Sequence, residues 1–94
     1  MNNLHLKQEI STLLSTIKQI FGKNSREYED AEYYLDVLET IYKYNCNEGR
    51  DLLEELDNLL NKLSYTITEL TPEKFKVRYP NISQMINYLD EWLP

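Results

Sequence analysis

The chain reads as all-α, an antiparallel up-and-down four-helix bundle in one domain, on three observations. Apolar residues recur at spacings of three and four through residues 4–21, 24–44, 52–67 and 82–93, the period of a helix with one buried stripe. The connections between the first three segments are short and rich in Asn and Gly. Short connections between long amphipathic helices make neighbours antiparallel.

The first helix carries Leu6, Ile10, Leu13, Leu14, Ile17, Ile20 and Phe21 as its core stripe. Gly22 follows, where a left-handed C-terminal cap favours a residue without a Cβ. The sequence then predicts that Asn24 caps the central helix and that Glu27, three residues on, completes a capping box. In that helix Tyr28, Ala31, Tyr34, Leu35, Leu38, Ile41 and Tyr42 share a broad apolar face, with Tyr33, Val37 and Tyr44 nearly opposite. Between them runs a strip of Glu29, Glu32, Asp36, Glu39 and Lys43. An apolar arc this wide implies contact with more than one neighbour, so the central helix is the expected packing centre.

The run Asn45, Cys46, Asn47 should end it, because Asn competes for helical hydrogen bonds with its own side chain. Asn47 is then the expected cap of a third helix built on Leu52, Leu53, Leu56, Leu59, Leu60, Leu63 and Ile67. Two readings compete for the next stretch. Residues 65–70 and 75–79 can pair as a hairpin, since Lys74, Phe75, Lys76, Val77, Arg78 and Tyr79 alternate basic and apolar. Alternatively Thr71 caps a short helix with Pro72 at its first position, breaking before Pro80. The helix is favoured, because a lone two-stranded hairpin is marginal in water. Asn81 and Gln84 suggest another capping box, opening a final helix that carries Ile82, Met85, Ile86, Leu89, Trp92 and Leu93.

Composition narrows function by exclusion. Sixteen acidic against ten basic residues, net −6, argues against nucleic acid, whose binding draws on Lys and Arg. No leader-like start and no apolar run of about 20 residues is visible, so a cytoplasmic location is expected. One cysteine, Cys46, forms no internal bridge. His5 is the sole histidine and lies near a terminus; the serines lack a nucleophile motif, and two glycines make no phosphate cradle. The loop from Asn45 onward misplaces Gly49 and puts Leu56 where a calcium loop needs Glu. Asp51, Glu54, Glu55 and Asp57 read as a solvated helix face. No enzyme, cofactor or metal site is expected.

Interaction residues are the better candidates. Eight tyrosines supply rings with polar tips, which suit protein interfaces. Tyr33 and Tyr44, with Glu32 and Asp36 of the acidic strip, are the expected contacts; Tyr33, Val37 and Tyr44 beside that strip either receive the last helix, which carries Trp92, or present a surface to a partner. Lys74, Lys76 and Arg78, beside Tyr79, form the one basic patch, suited to an acidic partner or anionic headgroups.

The order of elements and three strings resemble the immunity proteins of pediocin-like (class IIa) bacteriocins, the enterocin A and pediocin type. LHLKQEISTLLSTIKQIF resembles their first helix, YYLDVLET their second, and LTPEKF the start of their fourth. The likeness is strongest over residues 4–41. It implies a cytoplasmic four-helix bundle that protects a bacteriocin producer from its own peptide without catalysis. The implied partner is the bacteriocin-occupied mannose phosphotransferase membrane component, with specificity in the C-terminal half, here from Ser64 onward. An alternative of a different class is an acidic helical inhibitor that binds a basic protein through Glu29, Glu32, Asp36 and Glu39.

Overall fold

The computed structural model describes residues 3–94 and folds them into five helices, α1 (Asn3–Phe21), α2 (Arg26–Tyr44), α3 (Arg50–Thr66), α4 (Pro72–Arg78) and α5 (Pro80–Trp92). The four long ones form the bundle, and α4 is a single short joint before α5. α2 packs between α1 and α3 and also touches α5, as its wide apolar arc requires. Among the described residues there is no strand, and no helix is long and apolar enough to cross a membrane.

Each long helix sends in most of its predicted stripe, while Ile20 and Trp92 stay exposed. Leu6, Leu13 and Ile17 from α1 meet Ala31, Leu35, Leu38 and Ile41 from α2, Leu53, Leu56, Leu59 and Leu63 from α3, and Ile82, Met85 and Leu89 from α5. Burying an aliphatic side chain of this size contributes about 1.5–3 kcal/mol. No polar or charged side chain is buried among the described residues.

The competition between hairpin and helix is settled by Val77. In a strand Phe75, Val77 and Tyr79 would share a face. In α4 only Phe75 and Tyr79, four residues apart, point inward with rings 5.0 Å apart, while Val77 is 82% exposed. Thr71 caps α4 as expected, its Oγ1 accepting from Lys74 N at 3.3 Å. Pro80 forbids continuation, since the residue before a proline is pushed out of the helical region; Tyr79 sits at φ −127°, ψ 63°, and Pro80 opens α5.

Three expected caps differ from those formed. Ser25, not Asn24, caps α2: its hydroxyl accepts from Tyr28 N at 3.1 Å and donates to Gly22 O at 2.7 Å, so one side chain closes both the helix and the turn before it. Glu27 is thereby freed from a capping box and accepts from Lys62 Nζ at 2.7 Å. Gly49, not Asn47, stands at the cap of α3, at φ 118°. A Cβ there would lie 2.6 Å from Ile41 Cδ1, so the α2–α3 connection needs glycine both for its backbone and for its closeness to α2.

The third difference concerns α5, which has no side-chain cap of its own. Glu9 of α1 does what Asn81 was expected to do. Its Oε1 accepts from the backbone N–H of Asn81 at 2.8 Å and of Ile82 at 3.0 Å, and its Oε2 accepts from Asn81 Nδ2. A carboxylate at a helix N-terminus satisfies orphan donors and opposes the positive end of the dipole. The other end is held by Arg50 of α3, which donates to Asp90 Oδ1 at 2.7 Å and to the Asp90 and Leu93 carbonyls at 2.6 Å each. Cations at a C-terminus are favourable for the same reason.

Glu9→Ala should therefore lower stability by about 1–3 kcal/mol, measured by urea unfolding, with Glu9→Gln losing less because it keeps an acceptor. A second prediction concerns acid. The Lys62 hydrogen bond, followed by one from its own backbone, holds the Glu27 carboxyl below its ordinary value of 4.5. A depressed folded pKa gives stability that is present above the unfolded value and lost as pH falls through the folded one. Lys62→Met should flatten the fall in thermal midpoint between about pH 6 and about pH 3 relative to the parent; parallel curves would contradict this.

Candidate functional site

The expected interaction residues separate into three surfaces. The first is an open groove between α1 and α2. Its floor is Ile10 and Leu14, half-buried, and its far wall is Tyr33 with Glu29, Glu32, Asp36 and Glu39; its volume is about 520 Å³. α2 places these side chains together because 29, 32, 33, 36 and 39 are three or four residues apart and so share one side of a helix. Tyr33 is 57% exposed and leans on Tyr34, ring centroids 5.8 Å apart. Among the described residues the ion pairs are Arg26 with Asp30, Arg50 with Asp90 and Lys62 with Glu27, and none reaches these four carboxylates. Lys43, the cation of the strip, lies over the Tyr44 ring at 5.7 Å instead. Like charges at i, i+3 and i, i+4 each cost a helix about 0.2–0.5 kcal/mol, so Glu29, Glu32, Asp36 and Glu39 form a row in mutual repulsion.

The second surface is a more enclosed groove among α3, α4 and α5, about 160 Å³ in volume. Leu60, Leu70, Phe75 and Ile86 make its apolar lining, with Asp57, Asn61, Lys76 and Asn87 at the rim. Ser64 closes one end, its hydroxyl donating to Leu70 O at 2.9 Å, which folds the α3–α4 connection back along α3. Lys74 and Arg78 are exposed on α4 but lie outside this lining. The basic triplet is thus split by the helix: Lys76 faces the groove, and Arg78 borders a separate cleft with His5, Gln8 and Glu9.

The third surface is aromatic and lies where α5 ends against the α2–α3 connection. Tyr88 meets Tyr42 edge-on at 5.2 Å and stacks on Trp92 at 6.1 Å. The Tyr88 hydroxyl donates to Asn45 Oδ1, and the Trp92 indole N–H donates to the Cys46 carbonyl, each at 3.1 Å. Burial, then the neighbouring Tyr88, pushes the Tyr42 phenol above its ordinary value of 10.0. Tyr34 is raised too, by burial first and by Asp30 and Glu55 after it. Trp92 is still 47% exposed. Since α5 meets α2 at Tyr42, it does not cover Tyr33, and Tyr44 is left 67% exposed.

One expected contact is corrected. Tyr79 is expected beside the basic patch, yet its ring is 1% exposed. The helical path of α4 turns it inward with Phe75, and its hydroxyl lies 3.5 Å from Thr16 Oγ1; it belongs to the core and offers nothing to a partner. Glu32, Tyr33 and Asp36 are brought together with Ile10 and Leu14, whereas Tyr44, Lys74, Arg78 and Trp92 lie apart from them. The sequence reads Leu60 and Ile86 as core positions and Phe75 only as part of the alternation; the structure leaves all three half-buried along the groove.

Compared with protein-family models, with curated proteins and with solved structures, the chain matches none.

If the carboxylates of α2 repel one another, removing one relieves strain. Glu32→Gln should raise the thermal midpoint slightly at low salt, by about 0.3–0.8 kcal/mol in stability, with the gain fading toward 1 M salt. A loss of stability would mean that Glu32 makes a favourable contact.

Proposed function

We propose that this protein is a non-catalytic immunity protein of the pediocin-like bacteriocin type, which protects its cell by engaging a protein partner, the bacteriocin-occupied mannose phosphotransferase component. The observation that carries the reading is the groove lined by Leu60, Leu70, Phe75 and Ile86. Most of its lining lies from Ser64 onward, in the part of the chain where the resemblance puts specificity. An apolar slot with a polar rim suits an anchoring apolar side chain of a partner. The strings behind the resemblance fall on α1, α2 and the start of α4, so the likeness follows the element order. The chain divides its fourth segment into α4 and α5 at Tyr79 and Pro80, a difference from the four long helices that the resemblance implies.

A second reading is favoured by the acidic groove between α1 and α2. Four carboxylates, none of them held in an ion pair, suit a protein that binds and masks a basic partner.

Expression in a bacteriocin-sensitive strain tests the first reading. The parent chain should reduce killing by at least one class IIa peptide, and Lys76→Glu, on the groove rim, should weaken protection while leaving the far-ultraviolet dichroism unchanged. Undiminished killing across a panel of such peptides would overturn the proposal.

A further inference from the structure

The α1–α2 groove has a chemistry that defines its occupant more closely than net charge does. We infer that it is a docking site for a cationic amphipathic helix of a partner protein, whose apolar side chains sit on Ile10 and Leu14 and whose lysines or arginines face Glu29, Glu32, Asp36 and Glu39. The inference takes up the second reading above and gives it a site and a binding mode.

Charge and shape argue separately. The acidic wall runs from Glu29 to Glu39 along α2, ten steps or about 15 Å at 1.5 Å per residue, so its carboxylates are strung out in a row. Among the described residues no group of three His, Cys, Asp or Glu side chains is placed to hold a metal ion, which leaves a spread of positive charges as the complement rather than one ion. Lys7 and Lys18 stand about a turn beyond Ile10 and Leu14 on α1, and neither reaches the row within ion-pair distance. A cationic occupant therefore removes the mutual repulsion that α2 carries alone.

The walls decide between a helix and a strand. Both are helices, whose mid-segment backbone groups are already paired, so the groove offers no free N–H or C=O to an extended peptide. An occupant has to satisfy its own backbone, and a helix does so while laying residues at i, i+3, i+4 and i+7 along an apolar floor. Anionic membrane surfaces are repelled by the acidic wall. A second copy of this chain, itself net −6, is repelled likewise.

Titration of the isotope-labelled full chain with three synthetic peptides of equal length tests this: a Leu/Lys amphipathic helix, a Leu/Lys scramble without an apolar face, and oligolysine. The amphipathic helix should shift amides of α1 around Leu14 and of α2 across the acidic row, and bind about tenfold or more tighter than either control. Glu32→Lys with Asp36→Lys should weaken it by about tenfold or more at unchanged helicity, and about 0.3 M salt should weaken it too. Equal binding by all three peptides would overturn the helix-docking inference and leave the basic-partner reading standing. Shifts confined to the α3–α4–α5 groove, or indifference to the double reversal, would also overturn the inference; absence of binding by any of the three would overturn both. Sedimentation in the same buffer reads the remaining occupant, and self-association through these residues would replace the partner with a second copy.

Discussion

α5 is a helix whose two ends are finished by other helices. With no acidic residue in its first turn and no basic residue in its last, it depends on Glu9 for its N-terminal donors and on Arg50 for its C-terminal carbonyls. Those two side chains fix where α5 lies along α1 and α3, and hence where Ile82, Met85 and Leu89 enter the core. They also set the α3–α4–α5 groove, since Phe75 and Ile86 flank it only when α4 and α5 are held in that register. A hydrophobic stripe alone leaves a helix free to slide by a turn; directional bonds at both ends remove that freedom.

The tyrosines divide into three kinds of work. Tyr79 is core, filling the angle between α4 and α5. Tyr42 and Tyr88 are joints, tying the end of α5 to α2 through ring contact and to Asn45 through a hydroxyl. Tyr33 and Tyr44 are surface. Tyrosine serves all three because its ring packs while its hydroxyl tolerates water or a polar partner, and the count of tyrosines by itself therefore says little about interfaces.

Much of the fold was legible because a period of three to four is a local property. Most of the stripes of α1, α2, α3 and α5 appear in the core as read, with Ile20 and Trp92 left exposed, and the threonine-proline start of α4 formed as local capping chemistry predicts. What failed was non-local or a matter of choice between neighbours. Asn24 and Ser25 are both good caps, and only the carbonyl of Gly22 favours the serine. Asn47 lost to Gly49 because α3 begins in contact with Ile41. Tyr79 adjoins Arg78 in the sequence, but α4 sets it four residues from Phe75 and turns it into the core instead. Glu9 carried no local mark beyond lying at the border of an apolar stripe. The candidate site was half legible: Glu32, Tyr33 and Asp36 share a helix, whereas their α1 floor required the pairing of two helices.

The ties on α5 also order events in time. Glu9 bonds a residue 72 positions away, and Arg50 one 40 positions away, while α1 with α2 and α2 with α3 meet across short turns. Closing a longer loop costs more chain entropy, though only logarithmically, and non-local contacts slow the search for the native state. α1 to α3 are synthesised before α5, so the Leu and Ile side chains that α5 covers wait for the segment that covers them. In that interval Glu9 and Arg50 are open charges on opposite parts of an unfinished surface, keeping it wet until the helix they will grip arrives.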